Sequence, residues 1–160
     1  ELDACIHLVR GDGERGGAGT AEFRLAGGTI RTARQLTDFS TSIPIILSGT
    51  STISVADPFS AFFNGPLSGD GSLVIFSDEI GSNVVLGGDH PYTGATTVSR
   101  GGLALSGSAS ELGATASLTV GLAGTGRLTL GTGARVTPTT FIRFGNSGQQ
   151  GTGTLADSGT

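Results

Sequence analysis

A short phrase recurs along the chain: a glycine, one further residue, and then an aliphatic residue that opens a strand-like stretch. The aliphatic positions, one of which lacks the leading glycine, are Ile30, Ile53, Leu73, Leu103, Leu128 and Leu155. They recur every 20 to 30 residues. A loose period of this size is typical of a solenoid, in which each repeat must stack on its neighbours to bury its apolar face. The chain is therefore expected to form a repetitive fold.

Strand signals dominate between these positions. Short stretches rich in β-branched residues are separated by turns such as Gly69-Asp70-Gly71, where glycine permits the positive φ that sharp corners require. The predicted strands are 22–25, 43–47, 52–55, 72–76, 83–86, 96–98, 103–105, 117–120, 127–130 and 141–144. Helical signal is limited to a weak pattern over 32–40 and a single turn near Ser110-Glu111-Leu112.

Two all-β architectures fit short strands with glycine and proline turns. A sandwich or jelly roll needs no repeated phrase. A parallel β-helix does, because each coil returns the chain to the same edge one strand spacing further along. We therefore predict a right-handed parallel β-helix of about six rungs, roughly 29 Å long at about 4.8 Å per rung, with inward aliphatic side chains stacked in ladders.

The sequence divides into two parts. Residues 1–26 are predicted to form an irregular N-terminal segment or partial rung, with a protruding glycine-rich loop over 10–20. Residues 27–160 are predicted to form the β-helical repeat region. Because the sequence starts in mid-phrase at Glu1 and stops inside a repeat at Thr160, we expect it to be a piece of a longer protein.

Composition excludes several classes of protein. Glycine supplies 29 of the 160 residues but does not fall at every third position, which excludes collagen. The net charge is -4, and the nine basic residues, all arginine, are dispersed, so we expect no nucleic-acid partner. No stretch approaches the roughly 18 apolar residues of a membrane helix. Cys5 is the single cysteine, which excludes an intrachain disulfide and a cysteine-based zinc site.

Residues that carry chemistry are few and scattered. Asp78-Glu79 are neighbours, so their side chains would point to opposite faces of a strand. Asp89-His90 is a candidate catalytic pair, but it falls in a Gly-Gly-Asp-His-Pro turn, where aspartate is favoured for local hydrogen bonding. His7 has no visible partner. We therefore predict no catalytic, cofactor-binding or metal-binding residues, and we do not expect an enzyme.

Two further features bear on binding. Phe59, Phe62 and Phe63 form an apolar cluster that is expected to fill a core end or cover a rung, with a ligand pocket as the alternative. Arg10-Gly11-Asp12 is the tripeptide used by some integrin ligands, and it falls in the predicted glycine-rich loop. With Tyr92 as the single tyrosine and no tryptophan, the aromatic platform that sugar stacking needs is lacking.

Four motifs follow one another within 65–107. They are Leu67-Ser68-Gly69-Asp70-Gly71-Ser72-Leu73, Val84-Val85-Leu86-Gly87-Gly88, Tyr92-Thr93-Gly94-Ala95-Thr96-Thr97-Val98 and Gly101-Gly102-Leu103-Ala104-Leu105. In this order they resemble the passenger-associated transport repeat, also called the autotransporter-associated β-strand repeat. The third motif is the most specific match. The chain departs from the repeat at His90-Pro91, where the repeat has Asn-Thr, and at Ala95, which replaces a glycine.

The resemblance implies a surface-displayed or secreted passenger of a Gram-negative bacterial autotransporter, a type V secretion system. Such a passenger crosses the outer membrane through a β-barrel at the C-terminus of the same parent chain, which would be its partner. The chain would then be an extracellular stalk that aids export and supports adhesion to a host surface or matrix. Two alternatives remain open: a fragment of a polysaccharide-acting β-helical enzyme, and an adhesin or tailspike-type binding module.

Overall fold

The computed structural model describes residues 7–9, 21–32, 38–56, 59–77, 81–113, 115–145 and 151–155. Over these ranges the chain is all-β, and no helix is present in them. Strands from successive stretches of the chain pair parallel with one another and stack as a β-solenoid of about five turns. The architecture matches the right-handed parallel β-helix predicted from the sequence.

The strands are short because each crosses only one side of a narrow coil. In the described ranges they are β1 (His7–Val9), β2 (Glu22–Ala26), β3 (Thr29–Arg31), β4 (Phe39–Thr41), β5 (Ile45–Ser48), β6 (Thr50–Val55), β7 (Ser60–Phe63), β8 (Leu67–Gly69), β9 (Ser72–Ser77), β10 (Asn83–Leu86), β11 (Thr96–Leu105), β12 (Glu111–Leu112), β13 (Ser117–Val120), β14 (Gly126–Leu130), β15 (Arg135–Val136), β16 (Phe141–Phe144) and β17 (Gly151–Leu155). Only β11 exceeds six residues among them, and it spans two sides of its coil.

Each coil crosses three faces of the solenoid. The first face holds β2, β5 and β8, with β1 antiparallel to β2 at its edge. The second face holds β3, β6, β9, the first half of β11, β13 and β16. The third face holds β4, β7, β10, the second half of β11, β14 and β17. Six stacked strands on each of these two faces of the described chain correspond to about five complete turns.

We number the coils from one to six along the chain. Coil one contains β2 to β4, coil two contains β5 to β7, and coil three contains β8 to β10. Coil four runs from Asp89 to Leu105 and contains β11. Coil five contains β12 to β14, and coil six contains β15 to β17.

Inward apolar side chains, most of them aliphatic, form ladders that follow the strand register. On the second face one inward column consists of Ile30, Ile53, Ile75, Val98, Val120 and Phe144. On the third face an equivalent column consists of Phe39, Ala61, Val84, Leu103 and Leu128. The members of the first column recur every 22 to 24 residues, which is the length of one coil. The predicted stacking of inward aliphatics is therefore confirmed.

The recurring phrase of the sequence does not mark a single ladder, however. Ile30 and Ile53 pair on the second face, but Leu103 and Leu128 pair on the third. Leu73 lies two residues before the inward position that pairs with Ile53. Side chains alternate between the two sides of a strand, so two residues that are two positions apart both point into the interior. The recurring phrase can therefore place its aliphatic residue at either of these inward positions.

Coil four turns one corner without interrupting its strand. The sequence predicted separate strands at 96–98 and 103–105, but both belong to β11, whose first half lies on the second face and whose second half lies on the third. The chain bends at Gly101, which has a φ of 88°. A Cβ at this position would collide with Ser77 Oγ, so both the backbone conformation and the space require glycine.

The predicted single helical turn near Ser110-Glu111-Leu112 is wrong. The chain makes a turn at 108–109 and then forms β12, because Glu111 pairs with Asp89 of the preceding coil and with Arg135 of the next. Of the weak helical pattern over 32–40, residues 33–37 lie outside the described ranges, and β4 begins at Phe39.

Candidate functional site

The first face is interrupted between coils three and four. Its ladder of β2, β5 and β8 stops at Leu67–Gly69, and a second short ladder begins at Asp89 and continues through β12 and β15. The sequence supplies a reason, since Pro91 has no backbone N–H to donate to a ladder. One backbone hydrogen bond still crosses the gap, from Thr93 N–H to Gly69 O at 2.9 Å.

An imidazole replaces a backbone acceptor at this gap. In coils one and two, Phe23 N–H donates to Pro44 O at 2.8 Å, and Ile45 N–H donates to Pro66 O at 2.9 Å. The equivalent amide of coil three, Leu67 N–H, donates to His90 Nδ1 at 3.2 Å. We call the contact of His90 with Leu67 the histidine joint.

His90 is completely buried at this joint. Because its Nδ1 accepts a hydrogen bond from an amide, the neutral ring carries its proton on Nε2. That Nε2 is buried and has no hydrogen-bond partner. Burial lowers the pKa of His90 to about 4, and the charge of Asp89 opposes this shift in part. The side chain is therefore neutral at pH 7.

The predicted alternative of an Asp89-His90 catalytic pair does not fit this arrangement. Asp89 is exposed on the outside of the coil, whereas His90 is buried in its interior. Successive residues of an extended chain point to opposite sides, so the two side chains are separated by the coil wall. The structural interpretation of this segment fits better, with Asp89 forming the bridge to Glu111.

A buried chain of hydroxyl groups links coils four and five. Tyr92 OH lies 2.5 Å from Thr96 Oγ1, Thr96 Oγ1 lies 2.9 Å from Thr115 Oγ1, and Thr115 Oγ1 donates to Gly94 O at 2.7 Å. Each hydroxyl can donate one proton, so the order of donation runs from Tyr92 through Thr96 and Thr115 to the carbonyl. All three side chains are fully buried, and burial raises the pKa of Tyr92 above its usual range.

Gly94 completes this hydroxyl chain. A Cβ at Gly94 would collide with Gly71 O in the coil below, so a side chain there would push coils three and four apart. Tyr92, Gly94 and Thr96 are the conspicuous residues of the Tyr-Thr-Gly-x-Thr-Thr-Val motif. In this structure all three are used for packing and hydrogen bonding inside the solenoid.

The strand register brings together two carboxylates, those of Asp89 and Glu111, that are far apart in the sequence. Asp89, Glu111 and Arg135 occupy equivalent positions on coils four, five and six. Thr137 Oγ1 donates to Glu111 Oε1 at 3.2 Å. Counting one coil length forward from Asp89 would have identified this column, but the varying spacing of the recurring phrase concealed that length.

The outer sides of the second and third faces carry many small polar residues together with larger apolar ones such as Phe76 and Phe62. One outward column of the second face consists of Thr29, Thr52, Val74, Thr97 and Thr119. On the third face, Arg127 Nη2 donates to Asn83 Oδ1 at 3.4 Å across two coils. Gly102 lies between them in register, and its missing side chain leaves room for this contact.

Coil six leaves apolar side chains exposed. Phe141, Ile142 and Phe144 of β16 are 41%, 43% and 45% exposed. Ile142 and Phe144 continue inward columns of the second face, above Leu118 and Val120. The guanidinium of Arg143 lies 5.1 Å from the centroid of the Phe141 ring. As far as the described residues extend, this end therefore presents an uncovered layer of the core.

The three phenylalanines of the predicted cluster do not all point into the interior of the coil. Phe63 is buried, and its ring centroid lies 5.7 Å from that of Phe39 in the coil below. This confirms the core interpretation for Phe63. Phe62 is partly exposed at an outward position of β7, and Phe59 is also partly exposed.

Several other predicted features fall outside the described part of the chain. They are Cys5, Arg10-Gly11-Asp12, Asp78-Glu79 and the side chain of His7. Among the residues that the structure describes, no three His, Cys, Asp or Glu side chains are grouped as a metal site would require. None of the described segments is a helix of sufficient length and apolar character to cross a membrane.

Comparisons with protein-family models, with curated proteins and with solved structures found no match to this chain.

Proposed function

We propose that this chain is a stalk segment of a Gram-negative autotransporter passenger, displayed on the cell surface or secreted. The observation that supports the proposal is the use made of the repeat motif. Tyr92 and Thr96 are buried and bond towards Thr115 of the next coil, and Gly94 lies against Gly71 of the coil below, so the motif serves assembly of the solenoid. Assembly of successive coils is the activity that export of a passenger requires.

The mechanism follows from stacking. A coil that emerges from the barrel of the parent chain finds the previous coil as a template, with apolar columns already in register. Each added coil buries apolar surface worth about 25 cal/mol per Å² and interacts mainly with its nearest neighbour. Folding outside the membrane therefore disfavours return of the chain and draws the following segment outward.

Adhesion would use the outward faces of the stalk. The threonine column of the second face presents hydroxyl groups at Thr29, Thr52, Thr97 and Thr119 that form no hydrogen bond with another described residue. These hydroxyls are available to a host surface or matrix, which is the partner that we propose for the exported stalk.

The experiment places this chain between a reporter passenger and an outer-membrane β-barrel. Deleting 65–107 is expected to reduce the protease-accessible reporter on intact cells, and Gly94→Ala is expected to reduce it in the same direction. Gly124→Ala is the matched control, because Gly124 has no positive φ and the three atoms nearest to an added Cβ are side-chain atoms of Arg100, the closest at 3.4 Å. An unchanged surface level after both the deletion and Gly94→Ala would contradict the export role.

A second candidate is action on a polysaccharide. The register of Asp89 with Glu111 favours it, because strands of adjacent coils lie about 4.8 Å apart and retaining glycosidases hold two carboxyl groups about 5 to 5.5 Å apart. Loss of glycan hydrolysis in both Asp89→Asn and Glu111→Gln, with activity retained in Asp70→Asn, would support it. Absence of hydrolysis on a broad glycan panel would leave the stalk role as the better account.

A further inference from the structure

The histidine joint holds the first face together where its backbone ladder is broken. Coils one to three are connected there through β2, β5 and β8. Between coils three and four, Leu67 N–H bonds to His90 Nδ1 at 3.2 Å, and Thr93 N–H bonds to Gly69 O at 2.9 Å. The second and third faces, by contrast, continue through this level with strand pairing. The imidazole thus forms the polar link at the start of β8, while Thr93 N–H and Thr93 Oγ1 both donate to Gly69 O at its end.

The geometry of the joint requires a neutral ring. Nδ1 can accept from Leu67 N–H only through its lone pair, and a proton on Nδ1 would occupy that lone pair and face the amide hydrogen. Nε2 already holds a hydrogen without an acceptor, so a protonated ring would bury two donors without a partner. A charged imidazole therefore cannot remain in this position.

The charge of Asp89 offsets a positive ring only in part, and less than burial disfavours it. β8, which packs on one side of His90, has no ionisable side chain. On the other side, Glu111 of β12 and Asp89 lie on the outward column with Arg135, and neither forms an ion pair with His90 in the described part of the chain. Tyr92 of the same coil is fully buried and neutral, and its hydroxyl bonds to Thr96.

We propose that the histidine joint is an acid-sensitive latch: protonation of His90 breaks its bond to Leu67 and opens the first face between coils three and four. The pairing of β9 with β11 and of β10 with β11 keeps the two halves connected during this opening. Opening exposes the interior at one defined level of the solenoid.

The direction of the pH dependence follows from linkage. In the closed state the pKa of His90 is about 4, whereas an exposed histidine has a pKa near 6.5. Above pH 6.5 the ring is neutral in both states, so protonation contributes nothing to opening and the closed state has its full stability. As the pH falls from 6.5 towards 4, the open state binds a proton that the closed state does not, so opening becomes more favourable. Below pH 4 the ratio of open to closed molecules should be about 300-fold higher than it is at pH 7.

The test measures hydrogen exchange of the Leu67 amide in the complete chain, by NMR, at pH 7 and at pH 4, corrected for the intrinsic effect of pH. Protection is expected to fall by about two orders of magnitude at pH 4. His90→Asn supplies a side-chain oxygen that can accept the same hydrogen bond but does not titrate, so its corrected protection should not change with pH. His7→Gln is the matched control, because the chain has only two histidines, and it should behave like the unsubstituted chain.

Equal loss of Leu67 protection in His90→Asn and in the unsubstituted chain would overturn the proposal, since carboxylates would then be responsible. Titration of the imidazole carbon signals gives a second test that needs no substitution at position 90. His90 should remain neutral, with its proton on Nε2, until the pH approaches 4, and the loss of Leu67 protection should begin near pH 6.5 and level off as His90 titrates. Titration near pH 6.5, or titration without that loss, would also overturn it.

Discussion

Tyr92 and Thr96 show how a few residues fix the interior of coil four. The hydroxyl chain ends on a backbone carbonyl, so each member donates once and none is left without a partner. A satisfied buried network of this kind favours one arrangement of two adjacent coils over others. The sequence indicated the importance of these residues through their motif, but their inward direction became evident only from the structure.

The order of donation predicts unequal effects of removing its first two members. Tyr92→Phe removes one donor and leaves Thr96 able to donate onward, so it should lower the free energy of unfolding by about 1 kcal/mol. Thr96→Val leaves the Tyr92 hydroxyl buried without an acceptor and Thr115 without its donor, and it should cost about 1 to 3 kcal/mol. Urea denaturation with unchanged m values measures both. A larger loss in Tyr92→Phe would show that the order of donation is wrong.

At the scale of the strand, the alternation of inward and outward side chains determined which strands could be predicted from the sequence. The strands with alternating β-branched residues, such as Thr50–Val55 and Ser117–Val120, were located to within about two residues. Phe39–Thr41 and Leu67–Gly69 were missed, because such short segments are strands only through pairing with neighbouring coils. The contact of His90 with Leu67 was also beyond prediction, since it occurs where the ladder is irregular.

Two neighbouring residues of β11 test the alternation directly. Val98 is fully buried in an inward column, and Thr97 occupies the outward column beside it. Val98→Ala should reduce the free energy of unfolding by about 2 kcal/mol, because it removes buried methyl groups and leaves a cavity. Thr97→Ala should change it by no more than about 0.5 kcal/mol. Chemical denaturation of both variants checks this, and equal losses would contradict the assigned register.

For the stack of described coils as a whole, coil six differs from the coils before it. A coil inside the solenoid has both of its neighbours, whereas coil six exposes Ile142 and Phe144 at positions that are buried in coils two to five. Exposed strand edges with apolar residues pair readily with other chains. The stability of such a molecule is a sum over its coils and the contacts between them.

This exposed layer predicts self-association of the isolated chain at high concentration. Ile142→Lys should reduce the association measured by sedimentation velocity, because a charge in the uncovered core layer opposes pairing of two edges. Thr119→Lys adds the same charge at an outward position of the neighbouring strand and should leave association unchanged. A monomer at all concentrations in the unsubstituted chain, or equal effects of the two lysines, would contradict the prediction.

The similar length of successive coils also determines how the stack responds to force. If the chain is pulled from one end, the strands of the last coil separate from their neighbours one after another. Each coil that detaches releases 22 to 24 residues, or about 80 Å of extended chain. The solenoid would thus lengthen in nearly equal steps, each at a modest load, and would dissipate mechanical work over a long distance before it failed.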